Sequence, residues 1–535
     1  MTTFRDTTLA SLRIPGFRQL WLAIMAFNVG HLVLVVASSW QILEMTGSPL
    51  WVSAMVGAPT VPLLVLALPA GAVADLFDRR LILVGSSAVM AIASLGMAGA
   101  TLADRASPGL LVGFGVVLGI GVAFFNPAWQ AIVPALVPQH LVPGAIALNS
   151  ASGGVATALG PALGGLLVAT AGPGWSYLAA TTGYGVMLVT SHIVRPSTWE
   201  SDVDSLTTAI AGGIRYLRFS DGYLTLLLVG SAFGFTSAAL RAMLPNLTSD
   251  ALGGGASVYG VLLGAFGAGA IVGGITRARG GRLLGPRMVP VSIIVFGAAG
   301  ALVGAVPSLA IVLLGVTVSG LLWTWILATM NTVFQMLTPD WVRGRTMAAF
   351  VLAVFGILPI GALAAGAVGD VFGAGNALIA FSVGVMAVGA VAARVKVPVL
   401  EEITPPVVPG AVSADLPESP TVRGPVMVVT TWTIPTEEEM ESFAGVLAEL
   451  RRLRLATGAY RWNAYRSLDD SARISETYVV HSWEHHLQLQ ERLDTRALDV
   501  IDHAASFGAP GTLVRSHLVE FEALGRFQSR PMDRT

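Results

Sequence analysis

Few residues in the first three quarters of this 535-residue chain could do chemistry in an apolar setting. His31 and Asn28 stand in one uncharged run and Arg241 in another, while Asn126 with Gln130 and Asn331 with Gln335 mark two more. Polar and ionisable groups are costly inside such runs, so each is a candidate for binding something. An imidazole can donate, accept and titrate near neutral pH; a guanidinium is a fixed cation with five donors; an amide both donates and accepts. Structural readings compete with the binding ones. Arg241, near one end of its run, could snorkel to an interface. His31 could be a hydrogen-bonded contact between helices, and the amide pairs could be interhelical glue. Other chemistries find no support. The chain has no cysteine, which excludes disulfides, thiol catalysis and cysteine-ligated metals. No Gly-x-x-x-x-Gly-Lys-Ser/Thr loop is present, so ATP is not a direct driver. His481, His485, His486 and His503 lack metal-ligand spacing and read as solvated or packing residues. No catalytic group, metal or cofactor is expected.

The elements that must position these residues are legible in the composition. Hydrophobic residues make up 54% of the chain and charged ones 12%, against roughly a quarter charged in soluble domains. Most of the chain therefore belongs in a lipid bilayer. A net charge of −1 argues against a nucleic-acid partner. Runs of the ~20 apolar residues that a spanning helix needs fall near 20–43, 51–74, 81–102, 110–136, 145–171 and 175–193. After a polar interval six more follow, near 223–244, 258–275, 288–306, 309–337, 346–368 and 376–395. The fold class is thus all-α membrane protein, twelve helices as six, a break and six. Arginines gather in alternate loops, at Arg79 and Arg80, Arg195, Arg215 and Arg218, Arg277, Arg279, Arg282 and Arg287, Arg343 and Arg345, and finally Arg394 with Lys396. The other loops carry Arg105 and acids such as Glu44, Asp104, Asp250 and Asp370. The positive-inside rule then puts both termini in the cytoplasm. No cleavable signal peptide is expected, because the first helix would direct insertion itself.

The two halves echo each other. Asn126-x-x-x-Gln130-x-x-x-Pro134 in the fourth run matches Asn331-x-x-x-Gln335-x-x-x-Pro339 in the tenth, and a spacing of four sets each amide pair on one helix face. The charged turn after the second run reads Gly71-Ala-Val-Ala-Asp75-Leu-Phe-Asp78-Arg79-Arg80. It resembles the signature loop of the major facilitator superfamily at Gly71, Asp75, Arg79 and Arg80. Leu76 replaces the usual base and Asp78 the usual glycine. The resemblance implies that Asp75 gates the inner side by pairing with a neighbouring arginine and helix N-terminus, while Arg79 and Arg80 anchor the loop. Further strings resemble the enterobactin-exporter and macrolide-efflux branch: Trp40-Gln41 with Thr46-Gly47-Ser48-Pro49, Phe125-Asn126-Pro127-Ala128, Ala145-x-Ala147-Leu148-Asn149-Ser150, Gly160-Pro161-x-x-Gly164-Gly165 and Arg343-Gly344-Arg345. That resemblance spans about 17–396 and implies a plasma-membrane secondary transporter exporting a small organic molecule. In this superfamily helices one and seven line the cavity, which points to His31 and Arg241, with Asn28, Gln130, Asn331 and Gln335 as accessories. The gradient used would be protons, although no buried carboxylate suited to a relay is evident.

Residues 397–424 are rich in proline and read as an extended linker. The period then changes. Strands are expected at 426–434, 460–465, 475–482 and 512–521. A helix opens on the capping sequence Thr436-Glu437-Glu438-Glu439 and runs to about 456, and another spans 484–505 with a break near Asp494. Strand–helix–strand–strand–helix–strand is the ferredoxin-like order. Gly458-Ala459-x-x-Trp462, Glu476-Thr477 and Ser482-Trp483…His486-Leu487…Glu491-Arg492 resemble the antibiotic-biosynthesis-monooxygenase-like tail of some exporters of this branch, though His485 stands where an acid is usual. The resemblance implies a cytoplasmic regulatory, docking or dimerising module and hence a homodimer. The expected domains are 1–396 (halves about 17–194 and 222–396), linker 397–424 and tail 425–535. The expectation is a proton-coupled exporter working by alternating access between lipid-embedded halves. Two rivals from other classes remain, a sensor that binds without flux and a membrane-tethered enzyme.

Overall fold

The computed structural model describes residues 10–194, 223–338, 343–395 and 424–519, apart from 492, 494 and 510. The linker expected at 397–424 lies almost wholly outside them, as do Arg195, Arg215, Arg218 and Lys396. Chain contacts divide the molecule into one unit of Met1–Asp204, Thr225–Val333 and Ala348–Val397, and a second of Ser205–Leu224, Phe334–Met347 and Pro398–Thr535.

Among the described residues ten helices are long and apolar enough to cross a membrane by length and composition. The first, α1 (Pro15–Thr46), stops at Gly47, whose φ of 64° needs a glycine. Ser48 then caps α2 (Pro49–Gly57) by accepting from the Trp51 N–H, with Pro49 preset at the first helical position. The four residues Thr46-Gly47-Ser48-Pro49 thus reverse the chain with no loop to spare. After a short 3-10 turn, α3 (Val61–Leu76) completes the second passage. The next helices are α4 (Arg79–Leu102), α5 (Pro108–Ala135), α6 (Val142–Ala171) and α7 (Pro173–Ile193). The second half holds α8 (Tyr223–Asn246), α9 (Ala256–Leu284), α10 (Met288–Ala305), α11 (Leu309–Leu337), α12 (Arg343–Val351), α13 (Leu358–Phe372) and α14 (Ala374–Arg394). A π-helical turn, Leu352–Gly356, joins α12 to α13.

Several residues expected in loops lie on helix ends: Arg79 and Arg80 open α4, Arg343 and Arg345 open α12, and Glu44 and Arg394 fall in the last turns of α1 and α14; two further cases reach deeper. The hydropathy of the eighth run fades after Ile275, yet α9 continues to Leu284, so Arg277, Arg279 and Arg282 sit on its final turns and not in a loop. Asp370, expected in a loop, sits on the last turn of α13. In both cases polar residues at a helix end look like a loop in composition while the backbone remains helical.

The halves approach through small residues. Between α6 and α9, a Cβ on Gly165 would collide with the main chain of Ala256, and one on Gly260 with that of Pro161. Backbones come this close only where side chains are absent. Gly366 of α13 meets the Leu50 main chain and Ser53 side chain of α2, and Gly369 the Pro49 ring, each too close for a Cβ.

The tail runs β1 (Val426–Thr433), α15 (Glu437–Thr457), β2 (Arg461–Arg466), β3 (Arg473–Val480), α16 (Trp483–Glu491), α17 (Thr495–Ser506) and β4 (Val514–Val519). Its antiparallel sheet has the order β2-β3-β1-β4. Thr436 accepts from the Glu439 N–H at the start of α15, as the capping sequence predicts. Alternation along β1 and β3 buries one face, and the apolar residues there form two clusters. One contains Val428, Tyr478, Val480 and Trp483; the other contains Trp432, Phe443, Leu450 and Ile474.

Candidate functional site

Arg241 projects from α8 with its guanidinium 5.1 Å from the Phe266 ring centre of α9 and 5.7 Å from that of Trp323 on α11. It makes no hydrogen bond or ion pair among the described residues. The side chain is accessible although protein surrounds it, as for a group lining an internal space. The apolar stripe of α8, marked by exposed Leu224 and Leu228, lies roughly 120° around the helix from Arg241 at 100° per residue. Snorkelling along the lipid face does not fit that direction. The Tyr259 phenol is near enough to interact with the guanidinium and with Ser39 of α1, and its ring lies 6.2 Å from that of Trp40. Arg241 therefore stands where the second half meets α1.

His31 is placed otherwise. Its Nδ1 lies 2.9 Å from the hydroxyl of the buried Tyr184 on α7, and its ring stacks at 6.4 Å on Phe27. Phe27 continues into Phe125 at 4.3 Å and then Trp129, whose indole donates to Asn149 at 3.0 Å. This chain ties α1, α7, α5 and α6 together. Asn28 is half-buried beside it on α1. Asn126 and Gln130 are exposed, and no side-chain hydrogen bond involves them among the described residues. Leu110, Val117 and Ile120 form the apolar stripe of α5, and the amide pair lies roughly 140° around the helix from it. Asn331 is half-buried on α11 and Gln335, one turn later, is exposed.

In the charged turn, Asp78 caps α4 by accepting from the Arg80 N–H at 2.9 Å, which accounts for an acid where the resembling family has glycine. Arg79 donates to the Ala131 carbonyl on α5 at 3.1 Å. Arg80 donates to the carbonyls of Ser191, at 3.0 Å, and His192 on α7. Both arginines thus reach carbonyls in the last turns of neighbouring helices, where a cation meets the negative end of the dipole. The Asp75 side chain lies outside the described ones, and a Cβ on Gly71 would meet nothing. Sequence reading missed a counterpart in the second half. Arg277 of α9 donates to the Ala328 carbonyl at 2.7 Å and to the Thr332 hydroxyl at 2.8 Å, both on α11.

Also missed was a link between the halves at the end opposite these arginines. The Asp370 carboxylate accepts from Ser48 Oγ at 2.9 and 3.1 Å and from the Leu50 N–H at 3.1 Å. A carboxylate of α13 thereby caps the N-terminus of α2. Close by, the Asn246 amide donates to the Gly47 carbonyl at 3.3 Å. The string Thr46-Gly47-Ser48-Pro49 stood out in the sequence as a family resemblance; the partner 322 residues away did not.

A multi-pass bundle whose halves meet through helix pairs α6–α9 and α2–α13 agrees with a major facilitator transporter. The chain belongs to the transmembrane secretion effector family, whose model matches residues 6–522, tail included. It is 26% identical over 384 residues to the multidrug efflux pump Tap of Mycolicibacterium fortuitum, covering 69% of this chain and 93% of the pump. It is 23% identical over 355 residues to the staphyloferrin A transporter of Staphylococcus aureus, covering 64% and 87%. In fold it is similar to a bacterial homologue of the human lysosomal transporter Spinster, solved in an inward-facing and unoccupied conformation (TM-score 0.58, 17% identity, 74% and 98% covered). The family and these relatives are transporters, not enzymes.

Proposed function

We propose that this protein exports a small organic molecule across the plasma membrane by alternating access, with protons moving the other way. The observation that carries the reading is Arg241, a cation in the membrane that has aromatic rings beside it and no ion pair among the described residues. Such a group favours a ligand that brings an anionic or strongly accepting oxygen to it, since a desolvated charge gains most from a partner it otherwise lacks. Asn28, Gln130, Asn331 and Gln335 supply adaptable donors and acceptors, and His31 steadies the first half. The names of the efflux and siderophore relatives support export of an antibiotic, siderophore or other metabolite.

Twelve crossings are inferred. The continuous stretch Ala256–Ala305, 50 residues long, would span roughly 75 Å at 1.5 Å per residue, far more than one ~30 Å bilayer. It divides at the turn Gly285–Arg287, where Gly285 has a φ of 50°. Pro173–Ile193 supplies the remaining passage. Arginines Arg79, Arg80, Arg277, Arg282, Arg287 and Arg394 then share one end of the bundle, which we assign to the cytoplasm with both termini. The Asp370–Ser48 link closes the outer side, so the molecule faces inward. In the other state Asp75 would hold the inner side shut.

The tail, about 425–535 beyond a linker, reads as a ferredoxin-like module from its element order and β2-β3-β1-β4 sheet. Its open sheet face carries exposed Met427, Val514 and Leu518, and pairing of two copies through that face would give a homodimer. Uptake of a panel of hydrophobic antibiotics and siderophores into inside-out vesicles, with and without an inward-acid pH gradient, tests the whole reading. Gradient-dependent accumulation lost in Arg241→Ala supports it. Accumulation indifferent to the gradient removes the proton claim. Binding without flux in folded protein overturns transport in favour of sensing.

A further inference from the structure

Helix α9 has two opposite faces. On the inner one Phe266 lies against Arg241, and Gly269, Gly273 and Gly280 pack on α11. The outer face is the exposed line of Val261, Val272 and Ile275. At 100° per residue Arg279 falls in line with Val261, with Leu283 and Arg282 roughly 40° and 60° to either side. The apolar line therefore runs straight into two cations.

Helix length sets their depth. The 29 residues of α9 span roughly 43 Å, more than the ~30 Å hydrocarbon layer. Counted from Ala256, ~20 residues fill that layer, so residues 277–284 stand at headgroup depth. The arginines near this end divide into two kinds. Arg79, Arg80 and Arg277 donate to carbonyls of neighbouring helices. Arg279 and Arg282 are exposed and make no hydrogen bond or ion pair among the described residues. Leu283, beside them, is 83% exposed. An open leucine next to two cations suits the boundary between headgroups and acyl chains better than bulk water.

We propose that Arg279 and Arg282 bind the phosphate of an anionic phospholipid whose acyl chains lie along Val272 and Ile275. A guanidinium holds phosphate oxygens through paired donors, and basic side chains just beyond a spanning helix attract anionic lipid. The apolar line above the pair decides for a lipid. An acidic protein segment would satisfy the charges and leave that line uncovered. The site rests on the helices lying in a bilayer and is independent of which molecule is carried.

The test is native mass spectrometry of the full chain in detergent micelles, titrated with phosphatidylglycerol or with neutral phosphatidylcholine. Phosphatidylglycerol is expected to bind more than about tenfold tighter, since two basic residues contribute. Arg279→Gln and Arg282→Gln should each weaken it about fivefold, the worth of one basic residue at an anionic surface, and leave phosphatidylcholine unchanged. Neither change removes a contact among the described residues, so thermal stability in lipid-free detergent should hold. Arg287→Gln is the charge-matched control. Its neighbour Met288 lies against Gly281, roughly 160° around α9 from Arg279, so this change should have no effect on either lipid. Equal affinity for the two lipids overturns the site, and so do equal losses from all three variants, which would reduce it to general positive charge. Displacement of the lipid by soluble glycerol 1-phosphate overturns the lipid as occupant in favour of a free anion. A photoreactive label on Leu283→Cys, unique because the chain has no cysteine, should capture lipid in native membranes. Capture of an acidic segment of this chain or of another protein in its place overturns the proposal.

Discussion

Among the described residues two arginines lie over aromatic rings, and only one of them has a carboxylate there. In the tail, Arg454 is 2% exposed, sits 4.7 Å from the Tyr478 ring centre and pairs with Glu476 at 3.3 Å. In the membrane, Arg241 has Phe266 and Trp323 for company and no acid among the described residues. A fully buried charge with a built-in partner is already compensated, and its function is to hold the fold. A charge without one retains its capacity to bind, and a bilayer makes that capacity expensive to keep idle. In the proposed function the tail arginine holds its fold and the membrane arginine receives the substrate.

The largest effect expected from that contrast is at Arg454. Arg454→Ala leaves Glu476 buried without its cation, and loss of one partner of such a pair costs about 3–5 kcal/mol. Hydrogen exchange over the tail amides should show it opening. Arg454→Met with Glu476→Leu should recover most of the stability, because the pair is removed as a unit. A double variant as unstable as the single would deny that pairing is what Arg454 contributes.

Arg241→Ala should do the reverse, with little change in thermal stability and at least about a tenfold fall in transport, the worth of one charged hydrogen bond. Arg241→Lys keeps the charge and a cation–π contact but loses the planar fork, so it should fall between. Marked unfolding of Arg241→Ala with transport retained per folded molecule would reverse the two assignments.

The histidines beside Arg454 sharpen the contrast through pH. Burial first, then the charges of His517, Arg454 and Arg515, push His486 from 6.5 down to about 3; His517 is lowered too, by burial and Arg515. Between those values the unfolded imidazole holds a proton that the folded one refuses, so stability falls as pH drops below about 6.5. For His486 alone the loss reaches about 2 kcal/mol by pH 5. His486→Leu should flatten the acid limb of tail stability measured by hydrogen exchange; an unchanged limb would mean that the imidazole charges without penalty.

Length, hydropathy and arginine placement made the helical membrane unit legible, because a bilayer filters composition segment by segment. The tail elements were legible from the switch in period and from the Thr436 cap. What stayed hidden was pairing over long sequence distances. Nothing near His517 announces that strand register carries it to His486, and nothing near Asp370 announces Ser48. His31 shows the opposite limit. Its type suggested a cavity residue, and the fold adds a bond to Tyr184 that links α1 with α7, a neighbour only the fold supplies.

Asp370 is the smallest test and a third kind of charge, exposed at the surface and partnered by a helix N-terminus. A carboxylate there contributes about 0.5–1 kcal/mol through capping and the dipole. Because it links the halves at one end only, removing it should shift the balance of conformations, with little change in folding. One kcal/mol is roughly a fivefold change in population. The chain has no cysteine, so a cysteine pair placed across that end and followed by spin-label distances reads the balance cleanly. Asp370→Ala and Ser48→Ala should each raise the population open at that end several-fold, and together no further than either alone, since they break one contact. Asp370→Asn keeps an acceptor and loses the charge, so it should give the smaller share. Additive effects, or none, would leave the link as incidental surface contact and the closed end resting on the glycine-packed pairs α6–α9 and α2–α13.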